Sequence, residues 1–257
     1  SRTNAAKHVP PVKNIVRQLP LTELCSEEGL EIIEANAETV LQEIGIDFKG
    51  DEEILKLWRD AGADVDGERV RFPKGLVRSL LKTAPEIYVQ HARNPLRNVT
   101  FGGNNVIFAP VYGPPFVHDL DAGRRYGKMV DFENFVRLAY MAPDLHHSGG
   151  TVCEPVDIPI NKRHLDMVYA HMKLSDKPFM GAVTATERAA DTLEMCNILF
   201  GPSFVTEHTV CTSLINVNSP LAFDEVMLGA LKTYSRACLL YTSDAADERS
   251  SVDLGGR

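Results

Sequence analysis

Apolar positions near the start of the chain recur at helical spacing. Between residues 27 and 44 they follow an i, i+3, i+4, i+7 pattern behind Ser26, a good N-cap, which predicts an amphipathic helix. A shorter helix comes next, then a tight hairpin at Asp66-Gly67, and then a helix whose first turn Pro73 suits. The pattern therefore predicts a mainly helical N-terminal region over residues 1–85.

The pattern then changes to short apolar runs separated by glycine and proline. This segment, residues 86–126, is predicted to be rich in β-structure, and it connects the helical region to the later half of the chain. Its strand candidates are Ile87–Val89, Val99–Phe101, Val106–Ala109 and Phe116–His118.

Residues 127–237 alternate regularly between helical and strand-like patterns. Three runs are apolar or small throughout, as in parallel strands that helices cover on both faces. The fold class expected for the chain is therefore α/β. The predicted helices are 131–142, 161–174, 187–200 and 222–236, and the predicted strands are 147–153, 178–183 and 209–217.

Composition narrows the class of protein. Of 257 residues, 44% are hydrophobic and 24% charged, values typical of a soluble globular chain. The net charge of −8 argues against a general nucleic-acid or anionic-membrane binder. We find neither a signal-peptide pattern nor an apolar run of the roughly 20 residues that span a bilayer, so we expect a cytoplasmic protein. Five scattered cysteines without a C-x-x-C pair predict reduced thiols.

Polar residues gather at the carboxyl ends of the three predicted strands. In α/β barrels and open sheets, that edge is where ligands bind. Ordinary loop and capping roles are an equally good explanation for any one of these residues. The group consists of Glu154, Thr184, Thr186, Asn216, Asn218 and Ser219.

Several stretches in a fixed order resemble the trimethylamine methyltransferase family, whose members are corrinoid-dependent methylamine and quaternary-amine methyltransferases. The resemblance covers about residues 20–237 and implies a (β/α)8 TIM barrel. It is carried by IIEANAETVLQEIGIDF, LWRDAGADVDGERVRFPKGLV, FAPVYGPPFVHDLDAGRRYGKMVDFENFVRLAYMAPDL, SDKPFMGAVTATERAADTLEM and SLINVNSPLAFDEVMLGAL.

A complete barrel needs about 250 residues. Residues 106–237 supply only about half of that, so we expect a truncated TIM barrel over residues 127–237, begun within the β-rich segment. The last residues, 238–257, show neither helix nor strand periodicity, and they read as the in-frame translation of a sequencing-library adapter. We expect this tail to be non-native.

The resemblance implies transfer of a methyl group from a methylated amine, such as glycine betaine or trimethylamine, to the cobalt of a cognate corrinoid-binding protein. The corrinoid cofactor would be carried by that partner and not by this chain. Aromatic faces and a carboxylate suit a quaternary ammonium. The expected substrate contacts are aromatic walls from Tyr112 and Phe116, a counter-charge from Glu154, orienting amides from Asn216 and Asn218, and a carboxylate contact from His118.

Other interpretations stay open. Tyr112 and Phe116 would also suit plain packing, Glu154 a loop cap, and the two asparagines helix capping. A barrel lyase or aldolase would need a Schiff-base lysine, and none of the three strand ends carries one. A zinc enzyme could draw on Cys153, Cys196, Cys211 and His146-His147, although burial of these side chains is the better expectation.

His164 and His171 lie about 10.5 Å apart along one predicted helix, too far to share a metal ion, and we assign them to the helix surface. A last alternative is a non-catalytic or non-folding half-barrel fragment, which would expose a strand edge and an apolar helix face. The sequence also leaves a homo-oligomer open.

Overall fold

The computed structural model describes residues 9–218 and 220–237. The predicted tail at 238–257 lies outside the described residues, so its assignment stays a prediction. The chain forms a mixed α/β structure with helices and several small sheets. Its N-terminal part contains the strands β1 (Ile15–Val16), β2 (Ile46–Phe48), β3 (Asp64–Asp66) and β4 (Arg69–Arg71), and the helices α1 (Glu27–Glu43), α2 (Glu52–Asp60) and α3 (Leu76–Leu81).

Helix starts in this region follow the capping rules. The side chain of Ser26 accepts a hydrogen bond from the Gly29 amide, and Asp51 caps α2 in the same way. The turn at Asp66-Gly67 joins β3 to β4 as predicted, with Gly67 at a φ of +58°.

An aromatic cluster forms the core of the N-terminal part. The ring of Trp58 lies 4.8 Å from that of Phe72 in an edge-on arrangement, and Phe48 stacks on Phe223 at 5.3 Å between ring centroids. Since Phe223 comes from far along the chain, this core is shared with the C-terminal half of the described structure.

The middle of the chain forms small antiparallel pairs. These strands are β5 (Ile87–Gln90) with β6 (Val99–Gly102), β7 (Asn105–Val106) with β1, and β8 (Phe116–Asp119) with β9 (Gly123–Tyr126). Strand β9 was not predicted, because its residues GRRY are polar and show no clear strand alternation. It closes a hairpin on β8 around the turn at residues 120–122.

The helices after residue 127 match the predicted alternation. They are α4 (Met129–Met141), α5 (Arg163–Leu174), α6 (Thr186–Phe200), α7 (Pro202–Glu207) and α8 (Glu225–Arg236), and β10 (Ala222–Phe223) precedes α8. The short helix α7 was not predicted, although Pro202 in its first turn is typical of a helix start. Each of α4, α5 and α6 packs on the next long helix.

The three predicted strands are irregular. The segments at 147–153, 178–183 and 209–217 do run side by side, joined by hydrogen bonds such as Met180 N to Gly149 O and Gly181 N to Thr212 O, both 2.8 Å. Met180 and Thr212 form an isolated parallel bridge. The prediction of regular strands is wrong here, because Gly149 takes a φ of +87° and Pro178 has no amide to donate.

These segments form a short parallel wall. His147 donates its amide to Phe108 O, and His91 donates to Thr209 O, so the order across the wall is 108, 147–149, 178–181, 209–212 and then β5. The wall is open at residue 108, and the described residues form no closed barrel. Within the part of the chain that is described, no helix is long and apolar enough to cross a membrane.

Candidate functional site

Tyr112 lies across the carboxyl end of the wall. A Cβ atom added to Gly150 would be 2.6 Å from Cε2 of Tyr112 and 2.9 Å from Cβ of Met180. Such distances are shorter than real carbon contacts, so only glycine at position 150 lets the ring approach the backbone. The wall thus presents one aromatic face at the edge where the sequence predicted a ligand.

The hydroxyl group of Tyr112 is held in its neutral form. Burial raises its pKa, and the nearby carboxylate of Glu154 raises it further, while a hydrogen bond with the Thr151 side chain opposes both effects. The ring is therefore fixed at both ends, by Gly150 underneath and by Thr151 at its hydroxyl.

Glu154 already has a cationic partner. Its carboxylate lies 2.5 Å from a terminal nitrogen of Arg163 at the start of α5. The same guanidinium donates to the carbonyl oxygen of Ile158 at 2.9 and 3.1 Å. The structure thus brings Tyr112 and Glu154 together, and the charge of Glu154 is compensated before any substrate arrives.

Phe116 and His118 lie on the β8–β9 hairpin. The Phe116 ring is 4.7 Å from Tyr126, and the guanidinium of Arg124 lies 3.8 Å from its centre. One face of the ring therefore already holds a cation. His118 is exposed, and the buried Val117 between these two residues anchors the hairpin in the cluster that contains Val152 and Cys153.

Asn216 and Asn218 are exposed and lie beyond the end of a different segment. Asn218 exchanges backbone hydrogen bonds with Ala222 and donates its side-chain amide to Asp224, the N-cap of α8. This geometry shows a loop-closing role for Asn218. The described contacts do not join either asparagine to Tyr112.

Two histidines form a buried polar layer behind the wall. His171 accepts a hydrogen bond from the Ser148 hydroxyl at Nδ1 and donates from Nε2 to the Gly150 carbonyl, both at 2.7 Å. His147 accepts from the Gly149 amide at Nδ1 and faces the Gln90 side-chain oxygen with Nε2. These tautomers follow from the hydrogen-bond partners of each ring. Burial lowers the pKa of His171 to about 4 and that of His147 to about 3.

The assignment of His164 and His171 to the helix surface is wrong. Both side chains are buried, and Nε2 of His164 pairs with Asp191 of α6 at 2.7 Å. The face of α5 that carries His171 lies on the wall, where its ring bonds to Ser148 and to the Gly150 carbonyl.

Lys177 is a buried cation that sequence reasoning missed. Its amine donates to the carbonyl oxygens of Ala139, Ala142 and Leu145, at 2.7, 3.2 and 2.6 Å, and so binds the carboxyl end of α4. Burial lowers its pKa to about 8. It precedes the wall segment 178–181, at the end opposite Tyr112, and its three bonds give it a structural role.

The cysteines considered as zinc ligands are buried. Among the described residues no group of three acidic, cysteine or histidine side chains could hold a metal ion. Burial raises the pKa of Cys153 to about 12, and a hydrogen bond with Cys211 raises that of Cys196. The raised pKa values keep the Cys153 and Cys196 thiols protonated, and all three cysteines are buried.

An apolar cleft of about 530 Å³ runs beside the open end of the wall. One side of it is helix α4, and the other includes Pro110 and Val152. Leu138 and Met141 on α4 are more than 60% exposed, at 62% and 65%. The remaining lining residues are Phe135, Ala139, Ala142 and Leu145.

Comparison with known proteins supports the resemblance to the trimethylamine methyltransferase family. The chain is 45% identical over 220 residues to a glycine betaine methyltransferase of Desulfitobacterium hafniense (strain Y51), which covers 85% of this chain and 46% of that protein. It is 26% identical over 167 residues to a proline betaine:corrinoid methyltransferase of Eubacterium limosum, covering 62% of this chain and 33% of that protein. The chain thus spans less than half the length of either relative. The sequence model of trimethylamine methyltransferase (MTTB) matches residues 1–243, and the chain therefore belongs to the trimethylamine methyltransferase family.

Proposed function

We propose that the protein containing this chain demethylates a quaternary amine of the betaine class. The observation that carries the proposal is the 45% identity to a glycine betaine methyltransferase over 85% of the chain. The second relative acts on proline betaine according to its name, and its substrate is again a quaternary ammonium that bears a carboxylate.

The parallel wall supports the fold that goes with this proposal. We infer that residues 106–213 form part of a TIM barrel, because the wall segments alternate with helices that pack on their neighbours. Substrates of such barrels bind at the carboxyl ends of the strands, which is the edge that carries Tyr112 and Thr151.

The chain's own residues would bind and orient the substrate. Loss of a methyl group from a quaternary ammonium leaves a neutral tertiary amine, so no proton has to move. The reduced corrinoid, carried by a separate protein, would supply the nucleophile that takes the methyl group. The Tyr112 ring, whose hydroxyl stays neutral, offers a desolvated aromatic face to the ammonium group. Because Glu154 is paired with Arg163, the aromatic ring and not this carboxylate is the principal contact in our proposal.

The test uses the complete open reading frame that encodes this chain. Purified protein is mixed with glycine betaine and a reduced corrinoid protein, and dimethylglycine formation is followed, with trimethylamine as the competing substrate. Tyr112→Phe should retain activity, whereas Tyr112→Leu should raise the KM about 5- to 30-fold, the equivalent of about 1–2 kcal/mol for a desolvated cation–π contact. Tyr169→Leu, at an exposed site on α5, is the matched control. Turnover of trimethylamine alone would refute the betaine assignment, and an unchanged KM in Tyr112→Leu would refute the role of the ring.

The open wall and the apolar cleft favour a second candidate, a half-barrel without catalytic activity of its own. In that case the chain as given would show no cooperative unfolding and would bind no betaine. A calorimetric titration of this chain with glycine betaine, compared with the complete reading frame, separates the two candidates.

A further inference from the structure

The guanidinium of Arg163 is not fully hydrogen-bonded by the described residues. Its Nε and one terminal nitrogen both donate to the carbonyl oxygen of Ile158, and the other terminal nitrogen donates to the carboxylate of Glu154. A guanidinium carries two N–H groups on each terminal nitrogen and one on Nε. One N–H group on each terminal nitrogen of Arg163 therefore stays available to a further acceptor.

This guanidinium is held in place and largely shielded from water. The Arg163 side chain is 15% exposed, and an N–H group without an acceptor in such a place is costly. Because Ile158 and Glu154 already hold the guanidinium, a ligand that binds its remaining N–H groups does not have to order a long side chain. Arg163 thus has the properties of a prepared contact for an anion.

Hydrogen bonds place Glu154 and its partner Arg163 beside the loop of Tyr112. The Glu154 amide donates to Pro114 O at 3.0 Å, so this loop runs alongside the end of the wall segment. The Glu154 carboxylate is close enough to the Tyr112 hydroxyl to raise its pKa, and it bonds to the Arg163 guanidinium on α5. An aromatic ring, a carboxylate and a guanidinium therefore lie together at this edge.

We propose that Arg163 binds the carboxylate of a betaine substrate, while the quaternary ammonium of the same molecule lies against the Tyr112 ring. This contact rests on the proposed function, because both relatives act, according to their names, on an ammonium compound that bears a carboxylate. The substrate is a zwitterion and Glu154 with Arg163 is an ion pair, so binding adds no net charge to the site. Trimethylamine has no carboxylate, and the contact therefore distinguishes the two classes of substrate.

His118, which the sequence suggested for the substrate carboxylate, is less suited to this role. Its side chain is exposed on the β8–β9 hairpin, and an exposed side chain gains little from an ion pair because water screens the charges. The guanidinium of Arg163 is mostly buried and keeps its charge at every physiological pH. A His118→Ala variant belongs in the test for this reason.

Ligand binding tests the contact without requiring turnover. The complete protein is titrated calorimetrically with three ligands: glycine betaine, tert-butylacetate, in which carbon replaces the nitrogen, and ethyltrimethylammonium, which lacks the carboxylate. We expect Arg163→Gln to weaken the binding of both carboxylates roughly tenfold or more, and to change that of ethyltrimethylammonium less than about twofold. Equal weakening of all three ligands is the result expected if Arg163 only supports the fold, and it would overturn the proposal.

Further variants provide the controls. Arg137→Gln removes an arginine from an exposed ion pair on α4 and should leave all three affinities unchanged. Glu154→Gln removes a negative charge that competes for Arg163, so it should tighten the binding of tert-butylacetate about threefold or more. Weaker binding in Glu154→Gln, or a loss of carboxylate binding in His118→Ala and not in Arg163→Gln, would overturn the proposal. Circular dichroism melts of all variants check that the fold is retained.

The same variants separate this contact from the proposed function. A complete protein that forms no dimethylglycine, yet binds tert-butylacetate through Arg163, would refute the demethylation and support the contact. A complete protein that demethylates glycine betaine with the same KM in wild type and Arg163→Gln would support the demethylation and overturn the contact.

Discussion

Replacing Lys177 by methionine should destabilise the chain by about 3 kcal/mol. The amine of Lys177 is the hydrogen-bond donor to three carbonyl oxygens at and beyond the end of α4, and the residue is only 2% exposed. A buried carbonyl left without a partner costs about 1–3 kcal/mol. The three losses do not add fully, because the variant also removes the cost of burying a charge.

The pH dependence gives a second, independent signature. Burial lowers the pKa of Lys177 from its usual 10.5 to about 8. Between these two values the unfolded chain keeps the proton that the folded chain has lost, so this group makes the folded state more stable as pH rises. The difference in unfolding free energy between wild type and Lys177→Met should therefore grow from pH 8 to pH 10.5, at up to about 1.4 kcal/mol per pH unit.

Urea unfolding followed by circular dichroism at 222 nm measures both effects. Lys173→Met, an exposed lysine on α5, is the control and should change stability by less than about 0.5 kcal/mol. Equal midpoints for wild type and Lys177→Met would refute the role of the three bonds. A difference that does not change with pH would refute the lowered pKa.

Three further predictions test the wall and the core. Gly150→Ala should displace the Tyr112 ring and lower kcat/KM of the proposed demethylation by the complete protein at least tenfold, with Gly29→Ala as the control. The wild-type chain should lose stability between pH 6.5 and 4, since the folded state keeps His171 neutral while the unfolded state takes up the proton, and His171→Gln should reduce this loss. Acid titrations followed by circular dichroism compare how steeply the stability of the two chains falls with pH. In the folded Cys238→Ser chain, maleimide followed by peptide mass spectrometry should modify the exposed Cys25 at least a hundredfold faster than the buried cysteines Cys153, Cys196 and Cys211.

Local patterns predicted the helices well. Periodicity and capping placed α1 within one residue of its observed end and found the alternation of helices after residue 127. Periodicity predicts that a helix is amphipathic, but it does not say what covers the apolar side. Leu30 and Ile33 of α1 are exposed, while Glu34 and Glu38 on a neighbouring face of the helix contact Arg78 and Gly75. Such contacts between distant residues leave no local pattern.

The candidate site was predicted in part. Tyr112 and Glu154 do lie together at the expected edge, because a carboxyl-terminal edge collects the loops that come after parallel segments. Spacing along the chain did not reveal that Arg163 pairs with Glu154, that Arg124 covers Phe116, or that Asn218 closes a loop. In each case a residue nearby along the chain already contacts the predicted side chain. The geometry of that contact depends on the folded loop.

The pairing of β10 with β2 has a consequence for synthesis of the protein. Residue 47 meets residue 222, and α8 supplies Leu228 to the same core and Lys232 to the Asp51 carboxylate. A ribosome that has completed β4 must add roughly 150 more residues before this sheet gains its outer strand, which takes roughly 8–30 s at typical elongation rates. During that interval the nascent N-terminal part carries an unpaired strand edge and an incomplete aromatic cluster, both of which chaperones recognise. The N-terminal part is first in sequence and among the last to reach its final structure.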